Sequence, residues 1–386
     1  MKTITAGVVG TGFIGPAHVE ALRRTPGVTV LAVASTEPER GRDLAARFGI
    51  PRVYDSWEAL VADRDVQVVH NCTPNDMHFR INRAAILAGK HILSEKPLTL
   101  TAVQSGELLR LVRRAPVVNA VNFNYRFYPL VRQARSMVAD GSLGSVYLVH
   151  GHYLQDWLYY DTDFNWRVDP SVGGASRAMA DIGSHWCDLV QYVTGLRIRR
   201  VCADLLTVHR TRQRAAAQAS TFRRNAARGA KSVPVKITTE DAANVLLEFD
   251  NGARGVLTVS QVSAGRKNRE MFEIDGSKCS LAWDQEEPNL LWIGHRDRAN
   301  EILPKDPSLL AEPARKYAHY PGGHPEGYPD APKNLFTDVY DFIRTGNDPR
   351  KVRPGFPTFE DGHRENLVVQ AVLASNRTRR WVTVGK

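Results

Sequence analysis

The stretch GVVGTGFIG, from Gly7 to Gly15, decides the fold of this chain. It contains the pattern G-x-G-x-x-G, with Gly10, Gly12 and Gly15 placed directly after an apolar strand pattern and directly before a helical one. In that context the first glycine permits a tight turn, the second lets the backbone approach a pyrophosphate, and the third allows close helix–strand packing. The helix that follows offers unpaired N–H groups and a positive dipole end to phosphates. The stretch therefore predicts a dinucleotide-binding βαβ unit.

Outward from this turn, short apolar strands alternate with amphipathic helical stretches as far as Tyr125, which is typical of βαβ units and a parallel sheet. Beyond it, alternating strands joined by Asn-Gly and Asp-Gly pairs predict a mostly antiparallel sheet. The helical stretches 176–195 and 334–346 are expected to cover one face of that sheet. We therefore expect an α/β Rossmann domain over residues 1–124 and an α+β domain with a large open, mostly antiparallel sheet over 125–386.

Length and composition agree with two domains of an ordinary globular protein, because 386 residues exceed what one core usually serves. The four cysteines are scattered without a CxxC pair, which suits a reducing compartment and argues against a cysteine-built zinc site. The N-terminus runs straight into a strand pattern without the features of a signal peptide. No run approaches the roughly 18 apolar residues of a spanning helix. A cytoplasmic protein with no membrane partner is expected.

The net charge of +10 raises the question of nucleic-acid binding. The segment from Arg210 to Lys236 holds eight Lys and Arg and no acid, so the rest of the chain carries about +2. A basic face for tracking phosphates is therefore not expected, and neither is a nucleic-acid partner. The segment itself has no sustained apolar period and is predicted to be an exposed, mobile loop.

The end of the second strand determines the choice between NAD and NADP. An acid is expected there if the ribose 2′-hydroxyl of NAD is to be held. The sequence instead has Ser35 and Thr36, with Arg40 a turn later, and Arg40 would pair with a 2′-phosphate. Glu37 is near enough to replace the missing acid. Either cofactor, NAD or NADP, fits these residues.

Three further motifs follow in order: NCTPNDMH (71–78), SEKP (94–97) and ADIGSHWCDL (180–189). With the glycine-rich turn they make the chain resemble the Gfo/Idh/MocA family of sugar and polyol oxidoreductases, over essentially the whole chain. YLQDW (153–157), NWR (165–167) and YPGGHPEGYPD resemble the subgroup of levoglucosan, L-glucose and scyllo-inositol dehydrogenases. The family implies a homo-oligomer, a dimer or tetramer, with the open sheet as its frequent interface. It also implies catalytic roles for Lys96, Asp181 and His185.

The chemistry of these three residues supports that assignment. Asp181 and His185 are four apart and share a helix face, while Lys96 follows the fifth strand, at the carboxyl end of the sheet where ligands bind. An imidazole suits the general base that takes a hydroxyl proton as hydride leaves carbon. A cationic lysine would stabilise the developing alkoxide, and Asp181 would hold the imidazole or bind a neighbouring hydroxyl. Gly183 is expected to let substrate or nicotinamide approach the helix.

The resemblance also carries over a wider set of site residues. Cofactor contacts are expected from Gly10, Gly12, Phe13, Ile14, Gly15, Ser35, Thr36, Arg40, Thr73, Pro74, Asn75, His78, Glu95 and Lys96. The substrate, a sugar or polyol, is expected to meet Lys96, Arg126, Tyr153, Gln155, Asp156, Trp157, Arg167, Asp181, His185 and His324. Arg126 has the alternative of anchoring the domain junction. No metal is expected, because no ligand cluster has the spacing of a zinc site.

Three functions remain open at this stage. The first is an NAD(P)-dependent dehydrogenase that oxidises a secondary hydroxyl of a cyclic polyol, sugar or anhydrosugar. The second is a glycosidase that uses NAD for a transient oxidation with no net redox change. The third is a sensor that binds NAD(P) without catalysis, which has no need of all three catalytic residues.

Overall fold

A computed structural model describes residues 3–215 and 232–385. The chain divides into two compact units, Met1–Asn122 with Pro329–Asn366, and Phe123–Tyr328 with Leu367–Lys386. The first division falls two residues before the expected position at 124. The later segment 329–366 joins the first unit, whereas the sequence pattern assigned it to the second.

The secondary structure begins with the glycine-rich βαβ unit and ends with a short strand. The strands are β1 (Ile4–Val9), β2 (Val28–Ala34), β3 (Arg52–Tyr54), β4 (Val68–Asn71), β5 (His91–Ser94), β6 (Asn119–Val121), β7 (Val146–Leu154), β8 (Ile198–Leu206), β9 (Thr211–Ala215), β10 (Ser232–Lys236), β11 (Ala242–Phe249), β12 (Arg254–Ser260), β13 (Arg269–Gly276), β14 (Ser280–Asp284), β15 (Leu290–Gly294), β16 (Glu301–Pro304) and β17 (Val382–Thr383). The α-helices are α1 (Ile14–Arg23), α2 (Pro38–Phe48), α3 (Trp57–Ala62), α4 (Asn75–Leu87), α5 (Ala102–Val112), α6 (Pro129–Ala139), α7 (Pro170–Gly173), α8 (Ser184–Thr194), α9 (Glu312–Arg315), α10 (Asp330–Thr345) and α11 (Phe359–Thr378). Two 3₁₀ turns cover Asn124–Phe127 and Trp166–Val168, and a π-helical turn covers Met179–Gly183.

The first unit is built on a six-stranded parallel sheet of order β3-β2-β1-β4-β5-β6. Its central strands read as continuous apolar runs because both faces are covered by helices. Local signals set the helix ends: the Ser56 hydroxyl accepts from the backbone N–H of Ala59 at the start of α3, and Gly49 ends α2 in the left-handed region at φ +62°. The predicted Rossmann-type sheet is confirmed.

Helix α10 packs within this first unit, not on the antiparallel sheet where its sequence was expected to lie. The buried Phe336 ring lies 4.9 Å from the ring of His18 on α1, and buried Tyr340 stacks on His70 of β4. The expectation was wrong because an amphipathic pattern defines the apolar face of a helix but not the surface that this face meets.

The second unit is built on a nine-stranded sheet of order β16-β15-β14-β13-β7-β12-β11-β8-β17. Only the pairing of β12 with β7 is parallel among these strands, so the prediction of a mostly antiparallel sheet is confirmed. Helix α8 packs on one face, where the Trp186 indole donates to the carbonyl of Met271 over 2.8 Å. Gly151 lies beneath this contact, where a Cβ atom would collide with the same carbonyl.

The basic segment was predicted to be a loop, and this is wrong for both of its ends. Strands β9 and β10 pair antiparallel, from Thr211 opposite Lys236 to Ala215 opposite Ser232. Arg212 is fully buried, and its guanidinium donates to the carboxylate of Asp241 over 2.6 Å. The sequence predicted a solvated arginine at this position, but the ion pair with the buried Asp241 gives Arg212 a structural role. Residues 216–231, the rest of the predicted loop, lie outside the described residues.

Across the parts of the chain that are described, none of the helices combines the length and the apolarity that a membrane span requires.

Candidate active site

The glycine-rich turn has the geometry that its sequence predicted. Gly10 has φ +102°, and a Cβ there would lie 2.6 Å from the carbonyl oxygen of Cys72. A Cβ on Gly15 would collide with the carbonyl of Gly10, whereas a Cβ on Gly12 would meet no atom within 4 Å. The first and third glycines are thus required by packing, while the second borders open space that a pyrophosphate would occupy. The residues present fit a dinucleotide at the start of α1.

Two residues of the turn flank this space. Phe13 precedes α1 and is 53% exposed, and Ile14 is the first residue of the helix and half-buried. The exposed ring beside an open glycine leaves the helix N-terminus accessible to a ligand.

The end of β2 carries a compact polar group. Ser35 is buried, its hydroxyl lies 2.7 Å from that of Thr11, and it accepts from the backbone N–H of Glu37 over 3.1 Å. The guanidinium of Arg40 donates to the carboxylate of Glu37 over 2.9 Å, and both side chains are exposed. Thr36 is exposed as well. The guanidinium expected to meet a 2′-phosphate therefore has the carboxylate of Glu37 beside it, in an exposed ion pair.

Lys96 follows the last residue of β5 by two positions, at the carboxyl edge of the sheet, and is half-buried. The carboxylate of the buried Glu95 accepts from the Nε2 of His18 over 2.9 Å, from the amide of Asn122, and from the backbone N–H of Lys96 over 3.3 Å. Burial would raise the pKa of Glu95. The hydrogen bond and charge interaction with His18, together with smaller contributions from Lys96 and Asn122, outweigh burial and lower that pKa to about 2. Glu95 is therefore an ionised carboxylate inside the protein.

His78 connects the loops that follow β4 and β5. Its Nδ1 lies 2.7 Å from the carbonyl oxygen of Pro97 and its Nε2 lies 2.9 Å from that of Thr73. The ring is fully buried, and burial lowers the pKa of His78 although both carbonyls oppose the shift. A neutral imidazole carries one ring proton, so His78 donates to one of these two carbonyls at a time and lies between the two loops.

The loop after β4 contains the other expected nicotinamide-side residues. Pro74 precedes α4, Asn75 is its first residue and is buried, and the Thr73 hydroxyl donates to the amide oxygen of Asn71 over 2.7 Å.

In the second unit, the π-helical turn Met179–Gly183 leads directly into α8. The carboxylate of Asp181 accepts from Arg167 over 3.3 Å and from the side-chain amide of Gln261 over 2.9 Å. Such turns widen the helix and recur at functional sites. The expected role of Gly183 is not what the structure shows: a Cβ there would lie 2.5 Å from the sulfur of Met179. That space is filled by the protein's own side chain, because the wide turn brings the two residues together.

His185 lies in a pocket of aromatic rings. Its imidazole is edge-on to Phe123 and Tyr125, at centroid distances of 5.7 and 4.9 Å, and lies 6.3 Å from the ring of Tyr153. Only 7% of the residue is exposed. These rings fix the plane of the imidazole and exclude water from its faces.

A closed set of hydrogen bonds fixes two of those rings. Tyr153 donates to the side-chain oxygen of Asn268 over 2.8 Å, Asn268 donates to Tyr125 over 2.8 Å, and the two tyrosine hydroxyls lie 2.7 Å apart. Gln155 donates to the same Asn268 oxygen over 2.7 Å and accepts from the indole of Trp157. Burial raises the pKa of both tyrosines well above the ordinary value, so they remain proton donors.

Arg126, an expected substrate ligand, is committed elsewhere. Its guanidinium forms a two-pronged ion pair with the buried carboxylate of Asp188 on α8, with 2.7 Å between Nε and Oδ2. The ring of Tyr192 lies beneath the guanidinium at 5.0 Å. Both residues belong to the second unit, so this ion pair fixes the 3₁₀ turn to α8, and the substrate role of Arg126 stays a prediction.

The remaining expected substrate residues lie in loops of the second unit. The guanidinium of Arg167 lies 4.3 Å from the ring of Trp166, and Asp156 accepts from Lys267 over 2.6 Å. His324 is exposed in a loop held by the buried pair of Lys305 and Glu326, whose charged atoms are 2.8 Å apart.

Sequence reasoning missed His18, His70, Tyr340, Gln261 and Asn268, all of which contact or support the residues above. A usable signal existed for two of them. His18 lies on the buried face of α1, and His70 lies within an apolar strand, where polar residues need partners.

A parallel sheet of order 3-2-1-4-5-6 with this glycine-rich turn defines an NAD-binding Rossmann oxidoreductase. Comparison with known proteins agrees: residues 4–123 match the family profile "Oxidoreductase family, NAD-binding Rossmann fold", and residues 131–282 match "GFO/IDH/MocA C-terminal domain". The chain is 30% identical to levoglucosan dehydrogenase of Pseudarthrobacter phenanthrenivorans, covering 100% of this chain and 99% of the relative. This protein belongs to the Gfo/Idh/MocA family of oxidoreductases.

Solved structures show the same similarity. A levoglucosan dehydrogenase in complex with NADH and levoglucosan superposes with a TM-score of 0.88 at 28% identity, covering 100% of both chains. An inositol dehydrogenase homolog from Azotobacter vinelandii, complexed with NADH and myo-inositol, gives 0.86 at 27% identity and covers 99% of this chain and 98% of that one. The resemblance to this family, and to levoglucosan dehydrogenase within it, is confirmed.

Proposed function

We propose that this protein is a dehydrogenase that oxidises a secondary hydroxyl of a cyclic sugar, anhydrosugar or polyol. The observation that carries the proposal is His185, an imidazole fixed among aromatic rings one helical turn beyond a carboxylate, Asp181, that is itself held by Arg167 and Gln261. The names of the similar proteins, levoglucosan dehydrogenase and an inositol dehydrogenase homolog, support the substrate class.

Three residues carry the chemistry in this proposal. His185 takes the hydroxyl proton as a general base. Lys96 donates a hydrogen bond to the same oxygen and stabilises its developing negative charge. The nicotinamide, when bound, accepts the hydride. Asp181 binds a neighbouring hydroxyl, because its two oxygens already face donors and orient it as an acceptor.

The aromatic and polar residues of the second unit suit a carbohydrate ring. Aromatic faces pack against C–H bonds, Asn268 orders the polar ends of Tyr153 and Gln155, and Gln155 in turn orders the indole of Trp157. We assign Asp156, Arg167 and His324 to the outer part of the same substrate site.

For the cofactor we propose NAD in preference to NADP. A 2′-phosphate would need the guanidinium of Arg40, which is paired with Glu37, and the carboxylate left behind would repel the phosphate. The Glu37 carboxylate would instead accept a hydrogen bond from a ribose hydroxyl.

We further propose a homo-oligomer whose interface is the sheet face opposite α8. Leu148, Leu246 and Val256 point to that face from adjacent strands and are 37, 47 and 40% exposed. Light scattering coupled to size exclusion tests this: a mass near 43 kDa, that of one chain, would contradict it.

The deciding experiment follows the absorbance of reduced nicotinamide when the purified protein is given NAD or NADP with inositols, aldoses and levoglucosan. Turnover of one pairing establishes the dehydrogenase. Retained cofactor with no net reduction would favour the glycosidase, and binding without any turnover would favour the sensor.

A further inference from the structure

A chain of four buried side chains runs through the first unit and ends at the residue before Lys96. The Tyr340 hydroxyl lies 3.0 Å from Nε2 of His70, the Nδ1 atoms of His70 and His18 lie 3.0 Å apart, and Nε2 of His18 lies 2.9 Å from the Glu95 carboxylate. These residues come from α10, β4, α1 and the end of β5, and none is more than 7% exposed.

The hydroxyl at the far end fixes the direction of the first hydrogen bond. Tyr340 is fully buried, burial raises its pKa well above the ordinary value, and His70 is its polar partner among the described residues. If the hydroxyl accepted a proton from His70, its own O–H would be buried without an acceptor, which is unfavourable. Tyr340 therefore donates to Nε2 of His70.

The directions of the His70–His18 and His18–Glu95 hydrogen bonds follow from the number of protons on each imidazole ring. Burial lowers the pKa of His70 well below the ordinary value, so its imidazole is neutral and carries one proton. With Nε2 accepting, that proton is on Nδ1 and is donated to Nδ1 of His18. The proton of His18 is then on Nε2 and is donated to Glu95. All three hydrogen bonds point in one direction, toward an ionised carboxylate.

We propose that this chain of hydrogen bonds is a positioning device for Lys96, in which Tyr340 selects the His70 tautomer and thereby directs the ring proton of His18 to Glu95, whose carboxylate it holds in place; the inference rests on the proposed catalytic role of Lys96. Glu95 accepts from the backbone N–H of Lys96 and interacts with its positive charge. A fixed carboxylate holds the backbone of Lys96 in place through this N–H hydrogen bond.

Other titratable groups also face Glu95 and belong in the account of any pH dependence. They are Cys72 at the end of β4 and His78 on α4, in addition to His18 and Lys96. Burial raises the pKa of Cys72 well above the ordinary value and lowers that of His78, so both are neutral near pH 7. The groups that interact most strongly with the Glu95 carboxylate are therefore His18, at the end of the hydrogen-bonded chain, and Lys96.

The test uses Tyr340→Phe, which removes one oxygen and keeps the ring that stacks on His70. Nitrogen-15 NMR of the imidazoles in the full-length protein should show His70 protonated on Nδ1 and His18 on Nε2 between pH 6 and 8, and Tyr340→Phe should change the His70 pattern. The kcat of Tyr340→Phe should fall about tenfold, the pH profile of kcat should shift, and the KM for NAD should be unchanged. The control Tyr54→Phe deletes a hydroxyl of the same unit that donates to Asp63 over 2.9 Å, and should leave both readouts unchanged.

The two measurements separate this inference from the proposed function, because the NMR measurement needs no substrate. A wild-type spectrum with His70 protonated on Nε2 and His18 doubly protonated would overturn the chain, whether or not a substrate is found. The predicted tautomers with Tyr340→Phe kinetics equal to those of Tyr54→Phe would overturn the positioning role while the dehydrogenase assignment stands.

Discussion

Arg126 and Asp188 form a buried, two-pronged ion pair that fixes the 3₁₀ turn Asn124–Phe127 to helix α8. Asp188 is three residues beyond His185, and Tyr125, in the same turn as Arg126, supplies one of the rings around that imidazole. The ion pair therefore holds the walls of the histidine pocket in register.

Replacing Asp188 by Asn should destabilise the protein by about 3 kcal/mol, because removing one partner leaves an uncompensated buried guanidinium. Urea unfolding followed by circular dichroism measures this. The matched control is Asp204→Asn, which breaks the exposed pair with Arg379 and should change little. Equal effects of the two substitutions would contradict the structural role.

Lys96→Ala and His185→Ala should each lower kcat by about 10²–10⁴-fold, since each removes a group that acts on the reacting oxygen. The NADH affinity of His185→Ala, measured by fluorescence, should stay near the wild-type value, because His185 is not among the expected cofactor contacts. Turnover close to wild type in both variants would remove the proposed roles.

Gly12→Ala and Gly15→Ala should separate cofactor binding from folding. A Cβ at Gly12 meets nothing within 4 Å, so the free energy of unfolding should be unchanged to about 0.5 kcal/mol while the Kd for NADH rises about tenfold or more. A Cβ at Gly15 collides with the carbonyl of Gly10, so this variant should be destabilised by about 1–3 kcal/mol. Calorimetric titration and urea unfolding provide the two readouts, and normal NADH affinity in Gly12→Ala would place the dinucleotide elsewhere.

Glu37→Ser should shift cofactor preference toward NADP, because it frees Arg40 to bind a 2′-phosphate. We expect the ratio of kcat/KM for NADP over NAD to rise about tenfold. The adjacent exposed pair supplies the control: Glu39→Ser frees Arg42 and should leave the ratio unchanged. An identical shift in both variants would mean that only the net charge of the helix matters.

Glu95 should contribute to stability at neutral pH and lose that contribution in acid. Its pKa is lowered from 4.5 to about 2 in the folded protein, so the native state binds fewer protons than the unfolded one. The contribution, about 3 kcal/mol, is complete above pH 4.5 and declines as the pH falls toward 2. The free energy of unfolding of Glu95→Gln should therefore differ from wild type at pH 7 and approach it near pH 3. A constant difference across that range would contradict the ionised state.

The sequence predicted the parallel sheet and its glycine turn because both depend on local patterns. The need for glycine at positions 10 and 15 follows from the local backbone, which leaves no room for a Cβ atom. The apolar runs of β1 and β4 follow from the burial of both faces of the sheet. The helical period alone predicts that Asp181 and His185 share a face; the structure places Asp181 in the π-helical turn and His185 at the start of α8, and their joint role stays a prediction.

The remaining features depend on contacts between residues far apart in the chain. The local sequence around Arg126 suits a substrate ligand, because nothing in it shows that Asp188, 62 residues later, lies beside the guanidinium. Arg212 looked solvated until Asp241 was seen to be buried with it. Gly183 looked like an opening for substrate because a π-helical turn, which brings Met179 onto it, leaves no signal in apolar periodicity.

Because α10 covers α1 and His70, the first unit is not complete when its own parallel sheet has been made. A ribosome adds residues in order, and Tyr340 follows Asn122 by more than two hundred positions. At a synthesis rate of about 5–20 residues per second, roughly 10–45 seconds pass between the completion of the parallel sheet and the synthesis of α10. During that interval His18 and His70 lack their cover of Phe336 and Tyr340, so the dinucleotide-binding half of the protein reaches its final form only after strands β7 to β16 of the other unit have been made.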